Sequence, residues 1–237
     1  MIITVVGAGG KTTVCKTLGE ALTRMGQTVL LTTTTHILPP PGVPLTVGGI
    51  HSVAPAAPLT AAAKETSADG KLKGFSGEEI DALSKKGLFD AVIVEADGAK
   101  GLPLKAPEAW EPVYPQDTSL AIGVIGLSSL GQPLSDETVH RSALFSQITG
   151  AAAGDRIGFI HLLALAVHPD GLFKAAPRNA VKIVFLNKAD VLKNPREEAR
   201  AFMEKSGVPV FLTSRDMKWA DAFIQTYIFK EGGKANE

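Results

Sequence analysis

A single cysteine, zero formal charge and no long apolar run set the first limits on this sequence of 237 residues. Cys15 has no second thiol, so no intramolecular disulfide braces the fold and no thiolate cluster holds a metal. The N-terminus lacks a charged region ahead of an apolar stretch; the cytoplasm is the expected compartment. Lys plus Arg and Asp plus Glu number 24 each, leaving no global field to draw in nucleic acid or anionic lipid, and neither is expected as a partner. The longest apolar stretch, IGFIHLLALAV at 157–167, falls well short of the roughly 20 residues that a membrane span needs, and reads as a buried helix. None of the five histidines, among them His36, His140, His161 and His168, falls in an H-x-x-x-H spacing, so a metal site built from protein imidazoles is unsupported.

What the sequence does have is a succession of apolar, β-branched runs: 2–6, 28–33, 89–94, 120–126, 181–186 and 208–212. Near-continuous apolarity is the mark of strands buried on both faces. Helical patterns fall between several of them. Residues 12–25 align Leu18, Ala21, Leu22 and Met25 before Gly26; SGEEIDALSKKG opens with a Ser76 to Glu79 capping box; and 195–206 starts at Asn194 and Pro195, with Ala199, Phe202 and Met203 as its inward stripe. Alternating strands and helices predict an α/β fold, P-loop NTPase-like, with a mostly parallel central sheet and helices on both faces. The expected organisation is one nucleotide-binding domain over 1–230, with a Pro-, Ala- and Gly-rich insertion at about 37–75 and a disordered tail at 231–237. Short strands near 44–48 and 70–75 are one reading of the insertion; a partly mobile loop is the other.

Three segments carry chemistry. In GAGGKTT, a strand leads through a glycine turn into Lys-Thr and a helix, the arrangement in which backbone N–H groups surround phosphate oxygens. Gly7, Ala8, Gly9 and Gly10 form the cradle, Lys11 faces the β and γ phosphates, Thr12 is the Mg²⁺ ligand, and Thr13 reaches the α-phosphate. Val5 stands where the usual motif has its first glycine, so the loop is compact and resembles the G-x-x-G-K-T-T turn of ATP-dependent Mur-type ligases. In FDAVIVEADGAKGLPLKAP, Glu95 and Asp97 end a buried strand, positioned to hold Mg²⁺ and polarise a nucleophile. Lys100 stands where a GTPase would have the glycine of D-x-x-G; Lys100 and Lys105 are candidates for binding phosphate or a second anion. In VFLNKADV, Asn187, Lys188 and Asp190 form N-K-x-D, whose carboxylate matches the two N–H donors of guanine and not adenine. Thr213 and Ser214 in LTSR are placed to complete that base pocket. TTTTH ends another strand with hydroxyls, making Thr34 a candidate Mg²⁺ ligand and Thr35 a neighbour, although β-propensity explains threonines there equally. Arg141 is a candidate positive charge for a transition state.

VVGAGGKTT, LLTTTTHI, VEADGAKGLPLKAP, ETVHR, HPDGLFK and FLNKAD, in this order and over most of the chain, closely resemble the YqeC family. The resemblance implies an accessory role in maturing selenium-dependent molybdenum hydroxylases, with the apo-hydroxylase or its cofactor-insertion machinery as partner. It supports Gly7 to Thr13, Glu95 to Lys105 and Asn187 to Asp190 as functional positions without assigning chemistry to them. The resulting expectation is an Mg²⁺-dependent protein that binds GTP, with ATP as the other nucleotide, and acts as a hydrolase or switch. Two further readings stay open: a transferase or ligase activating a small anionic substrate, and an adaptor that binds nucleotide without turnover.

Overall fold

The computed structural model describes residues 1–229; the tail expected at 231–237 lies outside the described residues. The chain opens with strand β1 (Ile2–Gly7), helix α1 (Lys11–Arg24) and strand β2 (Val29–Thr33). Five short strands follow: β3 (His36–Ile37), β4 (Leu45–Val47), β5 (Leu59–Ala63), β6 (Glu65–Thr66) and β7 (Leu72–Lys73). Next come α2 (Gly77–Ser84), β8 (Ala91–Glu95), β9 (Leu104–Lys105), β10 (Thr118–Gly126) and β11 (Val139–His140). The last part holds α3 (Ser142–Thr149), α4 (Phe159–Val167), β12 (Val181–Asn187), α5 (Pro195–Ser206), β13 (Val210–Thr213) and α6 (Trp219–Phe223).

Eight strands form one sheet in the order β13-β12-β10-β1-β8-β2-β5-β4, and every pairing in it is parallel. Strand β1, first in the chain, therefore lies in the middle, so the turn that follows it is overhung by strand ends from three later parts of the sequence. The apolar runs become strands because both faces of the sheet are covered. On one face Val14, Leu18, Ala21 and Leu22 of α1 and Phe223 of α6 pack on Ile3, Val5, Ile93, Ile122 and Phe185. On the other, Phe145 of α3, Leu162 and Leu165 of α4 and Phe202 of α5 pack on Val6, Ile125, Val184 and Leu186, while Ile80 and Leu83 of α2 pack on Ile2, Leu30 and Val92. The fold is α/β with helices on both faces.

The segment read as an insertion also builds the central sheet, contributing β4 and β5, while β7 pairs with β3 and β6 in a small antiparallel sheet. Strand β5, LTAAA, was invisible to a search for β-branched runs. It packs beneath α1, where Gly19 makes room for Leu59: a Cβ on that glycine would lie 2.7 Å from Leu59 Cδ1. Two helices expected to bury more of their apolar side chains differ as well. In α4, Ile160 is 72% exposed and Val167 50%, so that helix is buried on one side only, and in α5 Met203 points outward at 43% while Phe202 is buried.

Candidate functional site

The turn between β1 and α1 puts Lys11 at the first position of the helix and folds its side chain back over the turn. Lys11 Nζ donates to the Gly7 carbonyl at 2.8 Å and lies 3.3 Å from Asp97 Oδ1 and 3.6 Å from Glu95 Oε1. Burial by itself would lower this ammonium, but Asp97 and Glu95 outweigh it and hold Lys11 above its ordinary value, so it stays protonated. Glu95, at the end of β8, accepts from Thr12 Oγ1 at 2.8 Å; burial pushes its carboxyl up, against the pull of Lys11. Asp97 Oδ2 accepts from the Gly7 N–H at 3.1 Å and lies 3.1 Å from Lys105 Nζ, whereas its Oδ1 is buried and accepts no hydrogen bond. A buried carboxylate oxygen whose one near neighbour, the Lys11 ammonium, stands outside good hydrogen-bond geometry is uncommon.

Helix α1 begins without a side-chain cap and without an acidic residue in its first turn. Among the described residues, the backbone N–H groups of Gly10, Lys11, Thr12 and Thr13 find no acceptor. Those are the orphan donors of a helix start, and the glycines before them let neighbouring strand ends close in on the turn: a Cβ on Gly10 would lie 2.5 Å from Asn187 Nδ2. The rest of the loop is held by the protein itself: the Ala8 N–H donates to the Val124 carbonyl at 2.9 Å, and that of Gly9 to the Leu102 carbonyl at 3.1 Å. On the far side, Asn187 Nδ2 donates to the Gly9 carbonyl at 2.7 Å while its Oδ1 accepts from Thr213 Oγ1 at 2.8 Å.

Oxygen donors suited to Mg²⁺ meet here: the Thr12 hydroxyl, the Glu95 carboxylate it touches, and the open Asp97 Oδ1. Among the described residues no group of three or more His, Cys, Asp or Glu forms a self-sufficient metal cage. The donor set fits an ion that arrives with phosphate oxygens of its own.

Residues 3–143 match the family model described as YqeC protein. The chain belongs to the YqeC family. The YqeC protein of Escherichia coli (strain K12) is 38% identical over 199 residues, spanning 81% of this chain and 78% of that relative. Among solved structures, a chain of the MinC:MinD cell division protein complex from Aquifex aeolicus superposes with a TM-score of 0.46 at 14% identity, covering 95% of this chain and 88% of that one. Within the YqeC match fall the glycine loop, Glu95, Asp97, Lys105 and Arg141, while Asn187 to Asp190 lie beyond it.

The sequence candidates take distinct places in this YqeC-family chain. Gly7, Gly9, Gly10, Lys11, Thr12, Glu95, Asp97 and Asn187 converge on the loop. Thr13 is exposed at the helix start. Thr34 Oγ1 donates to the Val113 carbonyl at 2.8 Å, and its N–H to the Glu95 carbonyl at 3.2 Å, so its hydroxyl is already engaged beside the site. Lys188 Nζ donates to Ser128 Oγ at 3.2 Å, Asp190 is exposed just beyond β12, and the Ser214 hydroxyl donates to Asp216 at 2.9 Å. Lys100 is exposed with φ 49° and has no hydrogen bond or ion pair among the described residues. Lys105 is not available to an anion: it is 1% exposed and donates to the Gly98 carbonyl at 2.7 Å and to Glu111 Oε2 at 2.6 Å. Arg141 points away from the loop, to Glu111 Oε2 at 2.5 Å and Glu108 Oε1 at 3.4 Å. Cys15 is a core thiol, and burial pushes its pKa well up.

Sequence reasoning passed over Glu111 and Gly126. Gly126 ends β10 against Gly9, and the GVIG at that strand's end was the available signal; Glu111, in the irregular stretch before Pro112, offered none.

Proposed function

We propose that this chain binds a nucleoside triphosphate with Mg²⁺ and hydrolyses it, GTP being preferred to ATP. The observation that carries the reading is the ammonium of Lys11, held inside a glycine turn between two buried carboxylates and in front of four unpaired N–H groups. Phosphate oxygens would take up those N–H groups and draw Lys11 off the carboxylates. Thr12, Glu95 and Asp97 Oδ1 are the residues that would hold Mg²⁺, which when bound neutralises phosphate charge and orients the attacking water. The guanine preference is supported by Asp190, whose free carboxylate stands beyond the strand that Asn187 anchors to the loop. The proposal extends, as the resemblance of the sequence motifs implies, to an accessory role in maturing selenium-dependent molybdenum hydroxylases, with the apo-hydroxylase as partner. A second reading is favoured by Lys100, whose exposed ammonium, unpaired among the described residues and on a glycine-flanked turn, suits an anionic small substrate activated by the same nucleotide.

The test is calorimetric titration of the protein with GTP and ATP analogues, each with and without Mg²⁺. In Asp190→Asn, GTP affinity is expected to fall by about 10-fold or more while ATP affinity stays put, as loss of a matched hydrogen-bond pair predicts. Equal losses for both nucleotides would remove the guanine assignment, and no binding of either by the unaltered protein would remove the function.

A further inference from the structure

Behind the glycine loop runs a chain of charges that phosphate binding does not require. Asp97 meets Lys105, Lys105 meets Glu111, Glu111 meets Arg141, and Arg141 meets Glu108, at 3.1, 2.6, 2.5 and 3.4 Å. Exposure of the side chains rises along it, from 2% at Asp97 and 1% at Lys105 to 12% at Glu111, 19% at Arg141 and 31% at Glu108. The inner links are therefore dry, where one missing partner leaves a bare charge. The backbone is arranged for the same purpose: β9 and β11 pair in parallel, setting Lys105 opposite His140 and bringing Arg141 to the Ala106 carbonyl at 3.3 Å.

The two oxygens of Asp97 are treated differently. Oδ2 is filled by the Gly7 N–H and Lys105; Oδ1 has only the nearby charge of Lys11 and no hydrogen bond, though it is buried. We propose that Lys105, backed by Glu111 and Arg141, is a positioning residue that fixes the Asp97 carboxylate so that Oδ1 alone is offered to the metal end of a bound nucleotide. This deepens the function proposed above and rests on it. Lys105 touches neither nucleotide nor metal. It acts through Asp97, and without it only the Gly7 N–H holds Oδ2 against rotation of the carboxylate toward Lys11.

The experiment measures binding of a non-hydrolysable GTP analogue across a Mg²⁺ series. In Lys105→Met the Mg²⁺ concentration needed for half-maximal tightening is expected to rise about 10-fold or more, as for other residues that orient a metal ligand, while affinity for the metal-free analogue shifts far less. Glu111→Gln, which keeps Lys105 and loses only its outer anchor, is expected to move the same requirement a few-fold and stands in if Lys105→Met does not fold. The double variant Asp97→Asn with Lys105→Met is expected to need no more Mg²⁺ than Asp97→Asn alone. A purely structural role would instead weaken metal-free and Mg²⁺-bound nucleotide together and add in the double variant, and either result overturns the positioning role. An unaltered protein whose nucleotide affinity ignores Mg²⁺ would overturn the metal-nucleotide reading itself, a result distinct from a normal Mg²⁺ response that Lys105→Met and Glu111→Gln leave untouched.

Discussion

Gly9 has no room for a methyl group. A Cβ built on it would lie 2.4 Å from Gly126 Cα and 2.8 Å from the Pro103 carbonyl oxygen, and its φ of 84° is one that side chains rarely adopt. Neighbouring atoms are backbone and cannot swing aside. Gly9→Ala is expected to cost about 2–4 kcal/mol, from the strained backbone together with overpacking, measured by urea unfolding. A loss below about 0.5 kcal/mol, the range of an ordinary surface change, would mean that the loop relaxes freely and is not held by its neighbours. Glycine enrichment of the loop was evident in the sequence, but the partner glycine was not, because Gly126 stands 117 positions further on and only the sheet order brings it near. Asn187 teaches the same lesson. Its motif was legible, but the partners of its amide, the Gly9 carbonyl and the Thr213 hydroxyl, were not, because only the fold brings them near.

Among the elements, α2 was the most readable. Ser76 and Glu79 form the capping box, each accepting from the other's backbone N–H, at 3.2 and 2.7 Å. Ser76→Ala is expected to destabilise the protein by about 1 kcal/mol, seen as a lower thermal midpoint with an unchanged far-ultraviolet spectrum at room temperature. No shift at all would show the cap to be redundant with the packing of Ile80 and Leu83. The long strands were equally plain, since burial on both faces demands apolar side chains at every position. Strand β5 was not: alanine has little β-propensity, and its strand exists because β2 and β4 pair with it and α1 closes over it. The aromatic packing at the other end of the sheet was also hidden. Phe185 meets Phe223 at 4.8 Å and 85° and Trp219 at 5.4 Å and 84°, edge-to-face contacts that join β12 to α6 across more than 30 residues of chain.

For the whole molecule, the charge chain ties stability to acidity. Burial alone would raise the Glu111 carboxyl, but hydrogen bonds from Arg141 and Lys105 hold it below its ordinary value. A carboxyl lowered in the fold contributes stability that is present above the ordinary glutamate range, near about pH 4.3, and is lost as the pH falls below it. Thermal midpoints of the unaltered protein should therefore drop more steeply on acidification than those of Glu111→Gln; parallel curves would show that Glu111 carries no such linkage. The sequence displayed each of these charges and none of their pairings, since charge has no periodicity to betray its partner. The bond from Asn187 to Gly9 joins residues 178 positions apart. On the ribosome the glycine turn is therefore made long before the side chain that braces it, which at about 5–20 residues per second follows many seconds later. Nascent chains halted before β12 would carry the whole of GAGGKTT and still lack this brace, so the glycine turn is fixed in place only after the later strands of the sheet have been made.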